Sequence, residues 1–271
     1  MRIIKDILQT VQMIVAMPKN IAKIDQLNSD LKRVEQKLDD FIDMQSNLGT
    51  NLDDKFENQF LQTESLLAIY KRLPNLKLLP PTRGWAGSPD FLAKISELIL
   101  KEKPCLILET GSGVSTIIIG AALEANNKGK VISLDHNEFY SKVTKGNIEL
   151  NEIADRTEVI YSDLVEYNIN GQNWKWYEIN PLEFSEKIDM LIIDGPPGST
   201  QPLARYPAVP LLFQYFSDSI TILLDDSNRI DESTITQKWK AFLEENNFTT
   251  TITTFDHFEK GLAVIKANRR T

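Results

Sequence analysis

The turn Glu109-Thr110-Gly111-Ser112-Gly113-Val114-Ser115-Thr116 is the segment of the chain best suited to chemistry. It follows the apolar run Cys105–Leu108 and opens a helical pattern, the setting in which glycines let a backbone approach a ligand closely. Dinucleotide sites use the same turn, but two features differ from their fingerprint. The third glycine is replaced by Ser115-Thr116, and a carboxylate, Glu109, stands two residues before Gly111. A pyrophosphate disfavours a carboxylate at that distance, whereas a ligand bearing an ammonium and a sulfonium favours it. Asp135 ends the next apolar run, where a carboxylate can accept both hydroxyls of a ribose. His136 follows it and frames the same ligand. Asp163 ends the third run, placed to take an adenine amino group. Three acids on three consecutive strand ends point to an adenosine-type cofactor.

These residues need an alternating scaffold. Strands are expected at Cys105–Glu109, Lys130–Asp135, Glu158–Tyr161, Met190–Asp194 and Ser219–Leu224, then at Phe248–Thr254 and Leu262–Lys266. Helices are expected from about Ser115, over Ser141–Asn151, near Val209–Phe216 and over Glu232–Glu245. Such a rhythm implies a mainly parallel sheet covered on both faces, with an antiparallel edge from the terminal pair. Ser88-Pro89-Asp90 starts a further helix with a capping hydroxyl, a proline in the first turn and an acid. The long stretches Tyr167–Ser185 and Gly195–Pro207 read as loops. Their aromatic residues, with Trp85, either stack on adenine or a sugar or pack beneath a loop.

Before this domain, Ile24, Leu31, Leu38 and Leu52 form one heptad seam, with Gln45 as its polar exception. Leu27, Val34, Phe41 and Leu48 form the other. A coiled coil that self-associates is favoured over a helix folded back on its own domain. Leu73-Pro74 and Leu79-Pro80-Pro81 break the helical pattern, giving a helical segment at 1–72 and an α/β domain at 73–271. The first residues place Ile4, Ile7, Leu8, Val11, Ile14 and Val15 on one face. Packing on a partner or on its own domain is favoured for that face over a membrane surface, and peripheral membrane contact is the alternative.

Several classes are disfavoured by composition. A net charge of -8 argues against a general nucleic-acid binder. Two histidines and one cysteine leave no set for zinc. Cys105 is expected as a buried, inert thiol, and a reducing, cytoplasmic setting fits. No apolar run is long enough to span a membrane.

Six motifs together resemble the class I methyltransferases called methyltransferase family 24. They are Pro81–Trp85, Glu109–Thr116, Trp176-Tyr177, Asp194-Gly195-Pro196-Pro197-Gly198, Arg205-Tyr206-Pro207-Ala208 and Leu224-Asp225-Asp226. The resemblance runs from about Leu79 to Ala267. It implies a doubly wound, Rossmann-like sheet of order 3-2-1-4-5-7-6 with strand 7 antiparallel. It also implies S-adenosylmethionine held by Glu109, Gly111, Gly113, Asp135 and Asp163, with Ser112, Ser115, Thr116, His136 and Asp194 as further candidates on that side.

In that order the strands ending at Asp194 and at Asp225-Asp226 are neighbours, so three carboxylates converge beside the donor. They repel one another unless a cation joins them or one stays protonated. Oxygen ligands suit magnesium or calcium, as in the similar metal-dependent O-methyltransferases. Those enzymes carry a lysine after the first acid, and Gly195 stands there here. Two acids working without metal is the alternative. Asp194 and His257 are candidate catalytic groups, His257 because its strand should end at the cofactor rim. Arg205 is expected either to anchor an acidic group of the substrate or to pair with an acid such as Asp194.

The expected function is methyl transfer to a sugar or small hydroxylated acceptor. An NAD-dependent oxidoreductase and a non-catalytic coiled-coil assembly protein are the alternatives.

Overall fold

The apolar residues of the central strands alternate, and that alternation builds the domain. In the computed structural model, which describes residues 2–179, 184 and 186–270, β1 (Leu106–Thr110), β2 (Lys130–Asp135), β3 (Thr157–Tyr161), β6 (Ile188–Ile193), β7 (Phe216–Asp225), β8 (Phe248–Thr254) and β9 (Leu262–Arg269) form one sheet. Successive side chains of a strand point to opposite faces. Ile107, Met190, Ile192, Leu223 and Val264 therefore enter one core, with α2 (Pro89–Glu102), α3 (Val114–Asn126) and Ile148 of α4 (Glu138–Asn151). Leu106, Leu108, Leu191, Ile193, Ile222, Leu224 and Ile265 enter the other, with α5 (Ala208–Leu212) and α6 (Ile230–Glu245). Strands covered on both faces are buried along their length, and all five residues of β1 are buried.

The sheet order is β3-β2-β1-β6-β7-β9-β8. Pairings among β3, β2, β1, β6 and β7 are parallel, while β9 is antiparallel to both β7 and β8. This is the expected order, with two additional strands counted. Because two antiparallel pairings cancel, β8 runs with the core strands. The ends of β1, β2, β3, β6, β7 and β8 thus share one rim, where an α/β sheet binds its ligands.

The two additional strands correct the sequence reading. Residues taken as loop form an antiparallel hairpin, β4 (Leu164–Ile169) and β5 (Gln172–Tyr177). Asn170 and Gly171 turn it with φ of 51° and 82°, the left-handed pair that a tight hairpin turn requires. Trp176 and Tyr177 enter the second core, so the hairpin covers part of the face that a crossover helix would otherwise cover. The helix expected over Val209–Phe216 ends at Leu212, and a 3-10 turn leads into β7 at Phe216. Cys105 precedes β1 and is only half-buried, at the opposite end of the sheet from the rim.

A single helix, α1 (Arg2–Arg72), precedes the domain. Leu31, Val34, Leu38, Phe41 and Leu52 of the two seams are exposed on it, as are Ile7, Leu8 and Val11. The side chains of Ile4, Ile14, Val15, Ile24, Leu27, Gln45 and Leu48 lie outside the described residues. No helix among the described residues is long and apolar enough to cross a membrane.

Helix α1 ends at Arg72, just before the expected proline break, but the unit that holds the sheet begins at Asn58. Within that unit Gln62 bonds Asp90 through both its amide nitrogen (2.7 Å) and its carbonyl oxygen (3.1 Å). Arg72 donates to the Ala93 carbonyl (3.0 Å), and Ile69 is fully buried. A chain starting at Asn58 is predicted to unfold at the same urea concentration as the sheet domain of the full protein. One starting at Leu73 should lose at least ~2–5 kcal/mol, the scale of a large apolar side chain removed from a core.

Candidate active site

The donor-side turn is built around two buried carboxylates. Gly111 adopts φ 92° and packs so closely on the end of β6 that a Cβ would lie 3.1 Å from the Gly195 nitrogen. The amides of Asp194 and Gly195 both donate to the Thr110 carbonyl (3.0 and 2.9 Å), which locks the ends of β1 and β6 together. At Gly113 a Cβ would meet nothing, so this backbone is open to a ligand.

Glu109 is fully buried. Its Oε2 accepts from the Thr116 hydroxyl at 2.6 Å, while Oε1 has no partner. Burial pushes its pKa up to about 7, against the opposing pull of the Ser115, Thr116 and Ser133 hydroxyls. Asp135 is held differently. One of its oxygens accepts from the Ser112 hydroxyl and amide (2.5 and 3.2 Å), and the other from the Asn137 amide (2.8 Å). His136 stands edge-on to Tyr177, with a buried, unpartnered Nδ1. Asp163 is exposed and accepts from the Tyr161 hydroxyl at 2.5 Å. The structure thus brings Glu109, Ser112, Ser115, Thr116, Asp135 and His136 together and leaves Asp163 on the outer side of the rim.

The acids of β6 and β7 do converge. One oxygen from each of Asp194, Asp225 and Asp226 lies within 4.8 Å of the others. Asp226 adopts φ 60°, an uncommon conformation that aspartate tolerates better than most residues. Arg205 sits among them with 3% of its side chain exposed. It donates to Asp226 at 2.7 Å, to Asp194 at 3.3 Å and to the Asp225 carbonyl at 2.8 Å, and lies 3.7 Å from Glu232. Of its two expected roles, pairing with acids is the one this geometry has. Its guanidinium is turned into the cluster and away from solvent.

Arg205 does not complete the cluster. Both oxygens of Asp225 are buried without a partner. Burial, then the charges of Asp194 and Asp226, push its pKa well above the usual carboxylate range. Asp194 is also raised, by burial first and against the pull of Arg205. It is the most open of the three, with 20% of its side chain exposed. A divalent cation bound by oxygen ligands would find such a set here, and so would a hydroxyl needing an acceptor.

His257 is exposed on the turn after β8 and makes only ring contacts, with Phe255 and Phe258. Lys260 was not singled out in the sequence. Its ammonium donates to the Gly84 and Ala86 carbonyls (3.2 and 2.8 Å), and its charge favours ionised Asp194. Only the strand order reveals it, since β8 and β9 must end beside β7. Trp174, Trp176 and Tyr177 are packing residues of the hairpin, each less than a tenth exposed.

Replacing Arg205 by Met leaves four acids around an apolar chain. Removing one partner of a buried ion pair costs about 3–5 kcal/mol. The variant is predicted to unfold at correspondingly lower urea, and addition of magnesium should not restore the native midpoint.

Residues 108–227 match a family described as a methyltransferase domain. No curated protein matches the sequence. Among solved structures, an O-methyltransferase from Bacillus cereus in complex with SAH is similar over 78% of this chain and 96% of its own, with TM-score 0.52 and 15% identity. The O-methyltransferase TomG from Streptomyces achromogenes, in complex with SAM, is similar over 77% and 89%, with TM-score 0.51 and 12% identity. An SAH-bound methyltransferase from Podospora anserina is similar over 75% and 88%, with TM-score 0.50 and 15% identity. At these identities the structures show the fold alone, a class I methyltransferase fold, and the methyltransferase-domain match covers residues 108–227 of this chain.

Proposed function

We propose that this enzyme moves a methyl group from S-adenosylmethionine to a hydroxyl of a sugar or small hydroxylated acceptor. The observation that carries the reading is the trio Asp194, Asp225 and Asp226, within 4.8 Å of one another on strands adjoining the donor turn.

When bound, S-adenosylmethionine supplies an electrophilic methyl on a sulfonium centre. Glu109 suits its ammonium, because the unpartnered, buried Oε1 lacks the donor that such a group provides. Asp135, fixed by Ser112 and Asn137, would take the ribose hydroxyls. The Gly111–Gly113 backbone admits close approach, while His136 and Asp163 would frame the base. On the acceptor side, Asp194 orients the hydroxyl and receives its proton. Its raised pKa makes it a better base than a solvated carboxylate. His257 lies at the same rim as a second candidate for the proton. The acceptor oxygen then bonds to the methyl carbon as the carbon–sulfur bond breaks, leaving a neutral thioether.

The residues also fit a magnesium ion. The donor set is all oxygen, and the two free oxygens of Asp225 are what a cation would engage. Such an ion would lower the pKa of the acceptor hydroxyl. The exposed seam of α1 supports self-association of the chain.

Calorimetric titration with S-adenosylhomocysteine tests the donor reading. Micromolar binding is expected in the native protein and at least a tenfold loss in Asp135→Ala, about 1.4 kcal/mol or more. No binding would refute the reading. Magnesium should raise the melting temperature of the native protein and leave that of Asp225→Asn unchanged. Equal responses would remove the metal.

The sign of the pH effect follows from Glu109. Its folded pKa, about 7, lies above the ordinary 4.5. Its contribution to stability is present below the ordinary value and lost as pH rises through about 7. An ammonium ligand favours the ionised form, so donor affinity should rise as pH increases through about 7 and then level off. Glu109→Gln should bind more weakly, and its affinity should lack that rise when titrated over the same range.

A further inference from the structure

The indole of Trp85 is 85% exposed, as is the side chain of Ile230. These are the two most exposed large apolar side chains among the described residues; Ile230 opens α6, and Trp85 stands on the loop before α2. Ile230 follows Arg229, whose guanidinium bonds Asp226 at 3.0 Å. Trp85 lies between Gly84 and Ala86, whose carbonyls are both held by the Lys260 ammonium. The Lys260 carbonyl in turn accepts from the Asn228 amide at 3.3 Å, two residues beyond Asp226.

The segment after Trp85 is equally fixed. Ser88 donates to Asp90 at 2.5 Å, and Asp90 accepts from the Glu259 amide at 2.8 Å. Trp85 is therefore an aromatic plane in water, on a loop clasped by the Lys260 ammonium, whose charge acts on Asp194. Folding gains almost nothing from a tryptophan left in that state, whereas tryptophan is usually mostly covered.

We propose that Trp85 is the platform for the methyl acceptor and that the acceptor is a pyranose ring. This rests on the methyl-transfer reading above and names its substrate class. A pyranose has a face of C–H groups that lies on an indole and an equatorial belt of hydroxyls that carboxylates accept from. The Trp85 face and the Asp194–Asp226 edge, linked through Lys260, offer those two chemistries. The platform is open to solvent, so it suits one sugar of a larger glycan as well as a free glycoside. Trp85 is then a specificity residue and takes no part in the proton or methyl transfer.

The other tryptophans, Trp174, Trp176 and Trp239, are at most 6% exposed, so acrylamide quenching of the intrinsic fluorescence reads Trp85. The full chain, with S-adenosylhomocysteine and magnesium, is titrated with methyl glycosides of glucose, mannose and rhamnose. Sorbitol, which has hydroxyls without a ring face, is the comparison. Covering one face of the indole should lower the quenching constant about twofold with at least one glycoside and leave it unchanged with sorbitol. Protection by no glycoside, or equal protection by sorbitol, would overturn the proposal.

Trp85→Phe should abolish the quenchable emission; its retention would overturn the premise of an exposed platform. The same variant should bind S-adenosylhomocysteine as the native protein does, and a tenfold loss would place Trp85 in the donor site instead. Nucleoside binding without glycoside protection removes the platform and leaves methyl transfer standing. Absence of nucleoside binding removes the reading on which the platform rests.

Discussion

Four buried or nearly buried acids around one guanidinium set the terms for this structure. Asp194, Asp225, Asp226 and Glu232 surround Arg205, and among the described residues the other cations acting on them are Arg229 and Lys260 at the edge. A low-dielectric site penalises every uncompensated charge, so the excess of negative charge must be met by protonation or by a further positive group. Asp225, with neither oxygen bonded, is where that deficit is concentrated.

The sheet makes this possible. The register of β6 against β1 and β7 sets Ile193 beside Thr110 and Leu224, so the residues that follow emerge at one level. Glu109 and Asp194 consequently sense one another across the β1–β6 seam, and the ends of these two strands form one electrostatic unit. The antiparallel β9 brings the turn after β8 to the end of β7. It delivers Lys260, and through it the Trp85 loop, to the edge of the acids.

Much of this was legible in the sequence, for identifiable reasons. The continuous apolar runs at Leu106–Leu108 and Met190–Ile193, alternating with helical segments, and the glycine turn after β1 define a doubly wound sheet and its ligand rim. Acids at strand ends could be placed because the ends of parallel strands are aligned. The hairpin β4–β5 is marked in the sequence by Asn170-Gly171, but its aromatics suit ligand contacts and packing equally, so the sequence alone leaves it a loop. Arg205 presented two roles in sequence, and only the distances to Asp194 and Asp226 separate them. Lys260 carries no motif at all. Its place depends on where a turn ends in three dimensions, which spacing does not encode.

The central claim is that one rim holds a methyl donor against a carboxylate-lined acceptor site. A crystal structure of the protein with S-adenosylhomocysteine tests it most directly. The account predicts ribose hydroxyls on Asp135, the ammonium against Glu109, and the thioether sulfur facing Asp194. A nucleoside bound elsewhere, or one whose sulfur points away from the acid trio, would contradict it.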